Sequence, residues 1–213
     1  MNSNLDIPER HRRRAAKLTV EERRAQLLAC AIRVFSRMGI ASAGHADLAA
    51  EAGVAVPTVF DYFPTRAALV EAVVHEVERF ILGNARAAAS SFQTVPDQLI
   101  AVLRDFADSY DTDPDYAKIW VDWSTSFQAK VWPLYERFVD GTIQLHRDVI
   151  EAGVKRGEPL QDIDPQTSAY LFIGAATVII QMKIRGLESE SIARYLETIL
   201  HGALHQVERK PGT

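Results

Sequence analysis

The segment Gly44-His45-Ala46-Asp47-Leu48-Ala49-Ala50-Glu51-Ala52-Gly53-Val54-Ala55-Val56-Pro57-Thr58-Val59-Phe60-Asp61-Tyr62-Phe63-Pro64-Thr65-Arg66 leaves the backbone few options. A helix over 46–52 can turn Leu48, Ala49 and Ala52 inward, and Gly53 supplies the left-handed turn that ends it. Pro57 suits the first turn of a second short helix, 57–63, where its missing N–H costs nothing. Pro64 closes that helix by disfavouring helical geometry at the residue before it. Thr65 then caps a long helix with Leu69, Val73, Val77, Phe80 and Ile81 on one face. Two short helices about a tight turn, followed at once by a third, make a helix-turn-helix.

The flanking sequence extends the pattern. Thr19 and Glu22 form a capping box, and Leu27, Leu28, Ala31, Val34, Phe35 and Met38 recur at helical spacing, so a helix is predicted over 20–38 with Gly39 at its end. Further helices are predicted near 97–110, 115–126, 132–156, 165–185 and 189–207. Valine and isoleucine never alternate at a two-residue period for long, so no strand is expected. The fold class is all-α, about nine helices. A flexible basic arm (1–18) precedes a three-helix head (19–66) and a C-terminal helical bundle (67–210).

Net charge is −4 over 213 residues, but it is unevenly placed. Residues 1–70 carry 10 Lys/Arg against 7 Asp/Glu, and residues 71–213 carry 14 against 21. A basic head on an acidic body suits a chain that offers one end to phosphates. The longest nearly apolar run, 169–180, is shorter than the ~20 residues needed to span a bilayer, and no apolar region follows the basic N-terminus as in a signal peptide. The single cysteine, Cys30, excludes an internal disulfide and reads as a buried, inert thiol. A cytoplasmic protein is expected. Enzyme signals are weak: there is no phosphate-binding glycine loop or nucleophile elbow. His201 and His205 lack a third metal ligand, and Glu71 and His75 have the wrong spacing for a di-iron bundle. No metal or cofactor is expected.

If the helix 57–63 enters a DNA major groove, its early residues Val56, Pro57 and Thr58 lie nearest the base edges. Phe60 and Phe63 are expected in the core, and Tyr62 faces the other way with a hydroxyl suited to a phosphate oxygen. Asp61 would repel phosphate, accept from a cytosine amine, or cap locally. His45 can donate to a phosphate or serve as a local cap partner. Thr65 and Arg66 mark an anion-binding helix start. Arg12, Arg13, Arg14 and Lys17 of the arm would reach an adjacent minor groove or hover over phosphates. Arg23, Arg24 and Arg37 are open to a simpler reading, as solvated surface charge.

Residues 20–66 resemble the DNA-binding domain of TetR-family regulators. Lys118-Ile119-Trp120-Val121-Asp122-Trp123-Ser124, Val131-Trp132-Pro133-Leu134 and Arg156-Gly157-Glu158, with the 44–47 and 60–66 segments, resemble the LuxR/HapR/SmcR type of quorum-sensing master regulators. The resemblance implies an all-helical homodimer acting on double-stranded DNA at many promoters. It also marks departures. The subgroup has a DNA-contacting asparagine where Asp61 stands, arm arginines where Ala15 and Lys17 stand, and polar pocket residues where Val139 and Ile143 stand. Trp120 matches the subgroup's pocket tryptophan.

Trp120, Trp123, Phe127, Val139 and Ile143 are therefore candidate lining of an apolar effector pocket, with a packed aromatic core as the alternative. Ile173, Gly174, Val178, Ile192, Leu196 and Ile199, on the last two helices, are the candidate dimer interface. Two competing functions remain open at this level. One is a local repressor released by an apolar effector. The other is a helical small-molecule-binding protein that never meets DNA.

Overall fold

A computed structural model describes residues 18–126, 128–160 and 163–204. Arg12, Arg13, Arg14, Lys17, Phe127 and His205 lie outside them. Among the described residues there are nine helices and no strand: α1 (Val20–Met38), α2 (His45–Ala52), α3 (Val56–Tyr62), α4 (Arg66–Ser90), α5 (Val95–Thr112), α6 (Pro114–Ser124), α7 (Trp132–Lys155), α8 (Pro165–Ile184) and α9 (Ser189–Leu204).

The head is built by local signals that agree with one another. Thr19 Oγ1 accepts from Glu22 N–H at 3.1 Å, and the Glu22 carboxylate accepts from Thr19 N–H at 2.8 Å. Gly39 (φ 78°) and Gly53 (φ 64°) end α1 and α2 in the positive-φ region where a side chain is strained. At the start of α2 the Asp47 carboxylate accepts from Gly44 N–H at 3.0 Å. Thr65 caps α4 by accepting from Ala68 N–H at 3.1 Å. Leu27, Ala31, Val34 and Phe35 of α1 then form one fully buried core with Leu48, Val59, Phe63, Leu69 and Val73. Each such burial contributes about 1.5–3 kcal/mol for the larger side chains. Cys30 belongs to this core, and its sulfur accepts from the Arg33 guanidinium at 3.2 Å.

The long α4 runs on from the head into the body, where it packs along α5 and also meets α6 and α7. The Arg156-Gly157-Glu158 turn fastens the other end of the body. Glu158 accepts from Val95 N–H, the first helical residue of α5, at 2.9 Å, while its other oxygen pairs with Arg156 at 2.8 Å. Gly153 allows this approach, because a Cβ there would collide with Val95 and Leu160.

The last two helices correct one sequence expectation. Ile192 (5% exposed) and Leu196 (2%) are buried within the protomer, where α9 packs against α5 and α8, so neither is available to a second copy. Helix α8 is apolar on nearly every face and is long and apolar enough by composition to cross a membrane. It is instead a bundle helix. Ala169, Phe172, Ala175, Ala176, Ile179 and Ile180 face inward, and Tyr170, Leu171, Gly174 and Val178 remain exposed. Ile173 and Ile199 are half-buried.

Candidate nucleic-acid interface

Helix α3 has an inner face fixed by the core and an outer edge left to solvent. Val59 and Phe63, four apart, are buried (0% and 1% exposed). Val56, Pro57, Phe60 and Asp61 are exposed, and Thr58 and Tyr62 are half-buried. Asp61 and the Tyr62 hydroxyl make no hydrogen bond to a described residue, so local capping by Asp61 is not what the fold uses.

Three expectations change here. Phe60 is 46% exposed, not core: in a seven-residue helix the 59/63 pair sets the inner face and turns Phe60 aside. Its ring stacks on His45, with centroids 4.0 Å apart and planes within 5°. His45 is 8% exposed, and its Nε2 donates to the Phe63 carbonyl at 2.7 Å. A carbonyl only accepts, so this nitrogen carries the proton and is not free for a phosphate. His45 is thus a strut from the start of α2 to the end of α3. Arg66, though exposed, is likewise taken up by the protein itself. Its guanidinium donates to the carbonyls of Ala43 (3.1 Å), Ala41 (2.8 Å) and Ile40, holding the α1–α2 loop against α4. Thr65 uses its hydroxyl oxygen as the α4 cap.

The cations around the head divide into two groups. Arg33 and Arg37 both bind Glu51, at 2.8 and 2.7 Å, and the Arg33 bond first, then that of Arg37, holds the Glu51 carboxyl below its usual range. Arg24 lies over the Phe63 ring at 5.4 Å, beside the end of α3. That placement was hidden in the sequence, because the two residues are far apart in the chain.

A second set of contacts joins the head to α6. Asp122 accepts from Ile40 N–H at 2.6 Å, and Asp115 accepts from the Ser36 hydroxyl at 2.6 Å. A side chain at Gly39 would meet Asp122 at 3.4 Å. Between these two anchors α6 carries Trp120, which walls a cleft among α4, α5, α6, α7 and α8. Among the described residues, Trp120 is the only one of the sequence-predicted pocket residues on this cleft. Trp123 is fully buried against Tyr135 and Phe138, which makes it core; Val139 lines a separate depression near Trp132 and Tyr170; Ile143 is half-buried outside both. Among the described residues, no cluster of three or more His, Cys, Asp or Glu is arranged to hold a metal.

Comparison with known proteins places this geometry. Residues 27–73, which span α2, α3 and their supports, match the model of the bacterial regulatory proteins of the tetR family. The chain is 30% identical over 196 residues to the HTH-type transcriptional regulator LuxR of Vibrio harveyi, covering 88% of this chain and 94% of that one. Among solved structures, it shares its fold with the fatty acid degradation regulator FadR of Bacillus halodurans (TM-score 0.73, 16% identity, 89% and 100% of the two chains). A similar likeness holds for the transcriptional regulator FadR of Bacillus subtilis in complex with stearoyl-CoA (TM-score 0.72, 14% identity, 86% and 98%). The chain belongs to the TetR family of bacterial transcriptional regulators.

Proposed function

We propose that this regulator binds DNA sequence-specifically as a cytoplasmic homodimer, with α3 of each protomer in successive major grooves of a pseudo-palindrome. The observation that carries the reading is the outer edge of α3. Val56, Pro57 and Asp61 are presented to solvent, with Thr58 half-exposed beside them, while Val59, Phe63 and the His45 strut hold the helix from behind. Such rigidity is what direct readout requires, since base contacts depend on placement to fractions of an ångström. Tyr62 is positioned for phosphate, Arg24 adds charge at the end of α3, and the arm residues Arg12, Arg13, Arg14 and Lys17 supply further phosphate contacts. In this division of labour residues 19–66 read DNA and residues 67–210 pair and control the heads.

The dimer forms through α8. Leu171, Gly174 and Val178 make an exposed stripe, flanked by Tyr170, on a helix whose other faces are already packed. A matching stripe from a second copy, with Ile199 at its margin, would bury it in a four-helix arrangement. The likeness to Vibrio harveyi LuxR supports a global, quorum-sensing-type regulator. The cleft beside Trp120, with α6 tied to the head at both Asp115 and Asp122, supports a second reading: an effector-released repressor in which a ligand shifts α6 and so the head spacing. The solved likeness to a regulator holding stearoyl-CoA favours a lipophilic ligand in that case.

Two substitutions test the groove assignment. Thr58→Ala should change preference at particular bases, and Tyr62→Ala should weaken all sequences about equally. Identical binding profiles for the two variants would overturn the placement of α3.

A further inference from the structure

The cleft beside Trp120 has an electrostatic character that restricts what can occupy it. Among the described residues, five aromatic side chains, Phe80, Phe106, Trp120, Phe138 and Phe172, line it, and no lysine or arginine does. The one carboxylate among these described lining residues is Asp105 of α5, half-buried and without a hydrogen bond or ion pair to any described residue. Burial, and then the neighbouring Asp108, raise the Asp105 carboxyl above its usual range. The adjacent Arg104 lines a different depression, beside Ala107 and Ile192, and does not line this cleft.

The remaining polar groups, among them the uncharged, half-buried Asn84 amide of α4, do not offset that charge. The Ser109 hydroxyl donates to the Phe106 carbonyl at 2.8 Å, and the Thr142 hydroxyl to the Phe138 carbonyl at 3.0 Å, so both serve their own helices. Nδ1 of His146 meets the Ser168 hydroxyl at 3.0 Å. Trp120 Nε1 and His146 Nε2 are buried without a partner among the described residues. The indole carries no charge, and burial lowers the His146 pKa to about 4, so the imidazole is neutral as well. The indole N–H suits an oxygen acceptor, but neither group gives an anion a countercharge.

We propose that this cleft takes a lipophilic cation, an amine or quaternary ammonium whose charge sits at Asp105 and whose apolar body lies among the five rings. The inference rests on reading the cleft as an effector site, and it commits that reading to a ligand class. A partly desolvated carboxylate with no partner is costly to keep ionised, and a bound cation removes that cost. Aromatic faces add attraction for the same charge and repel the opposite one. A fatty acyl anion would meet Asp105 with no compensating cation. The ligand class therefore differs from that of the solved relative that holds stearoyl-CoA.

The test uses the full-length protein and three twelve-carbon probes below their micelle concentrations: dodecyltrimethylammonium, dodecanol and dodecanoate. Affinities are measured by calorimetry and by tryptophan fluorescence for the wild type, Asp105→Asn and Asp108→Asn. The ammonium should bind at least about tenfold tighter than dodecanoate, and Asp105→Asn should remove about tenfold of its affinity. Dodecanol affinity should stay within about twofold, which also shows that the variant cleft is intact. Asp108→Asn should leave the ammonium within the same twofold. Equal binding of dodecanoate, an unaltered ammonium affinity in Asp105→Asn, an equal loss in Asp108→Asn, or no binding of any probe would each overturn the proposal. DNA binding is measured separately without probes. A chain that binds DNA while refusing the cation loses this inference and keeps the regulator reading.

Discussion

Replacing His45 by alanine separates a structural strut from a phosphate contact. The ring is buried, donates to the Phe63 carbonyl at 2.7 Å, and stacks on Phe60 at 4.0 Å. Losing the hydrogen bond costs about 1 kcal/mol and orphans the acceptor. Losing the stack costs about 0.5–1.5 kcal/mol, with a further contribution from the space left behind. The sum is a destabilisation of about 2–3 kcal/mol, read as a lower urea midpoint at fixed protein concentration. The same change frees the end of α3, so affinity should fall for every DNA sequence. Because His45 gives nothing to phosphate, the dependence of affinity on salt should keep its slope. A phosphate contact made by a cationic His45 would behave in the opposite way. Unchanged stability together with a slope flatter by about 0.9 would refute the strut.

Other perturbations follow from the same geometry. Asp122→Ala orphans the N–H of the buried Ile40 and should cost about 1.5–3 kcal/mol in denaturant titrations; any effector-dependent change in DNA affinity should vanish with it. His146 is neutral in the fold with a pKa of about 4, below its unfolded value of 6.5. The unfolded chain therefore binds the extra proton as pH falls below 6.5, and stability is lost through the window down to about 4. That loss is about 2–3 kcal/mol by pH 4.5, and His146→Gln should reduce the drop between pH 7 and pH 4.5 by that amount. The double change Leu171→Glu and Val178→Glu should yield a monomer in sedimentation runs with much weaker DNA binding; a persisting dimer would move the interface elsewhere.

Most of the head was legible because its signals are local. Thr19 with Glu22, Gly39, Gly53, Pro57, Pro64 and Thr65 each act on a backbone within four residues, and all fall where the helices begin or end. What sequence could not show is which of two chemically suitable partners a side chain finds. Arg66 has the charge for phosphate, yet three loop carbonyls 23 to 26 residues upstream take it. Phe60 has the hydrophobicity of a core residue, but a helix of two turns has room for one inward pair. Ile192 and Leu196 form an apolar stripe that reads equally as core or interface, and α5 and α8 claim it within the protomer. The cleft was half visible. Trp120 stands in a recognisable motif, whereas Asp105 reaches the same space from α5 in a segment with no motif.

Selection of bound sequences from random duplex DNA by the purified full-length protein, at stated and low ionic strength, tests the central claim most directly. The enriched site should be a pseudo-palindrome whose half-sites lie about one helical turn, or a multiple of it, apart. Enrichment of no sequence over the starting pool would contradict the placement of α3 against DNA.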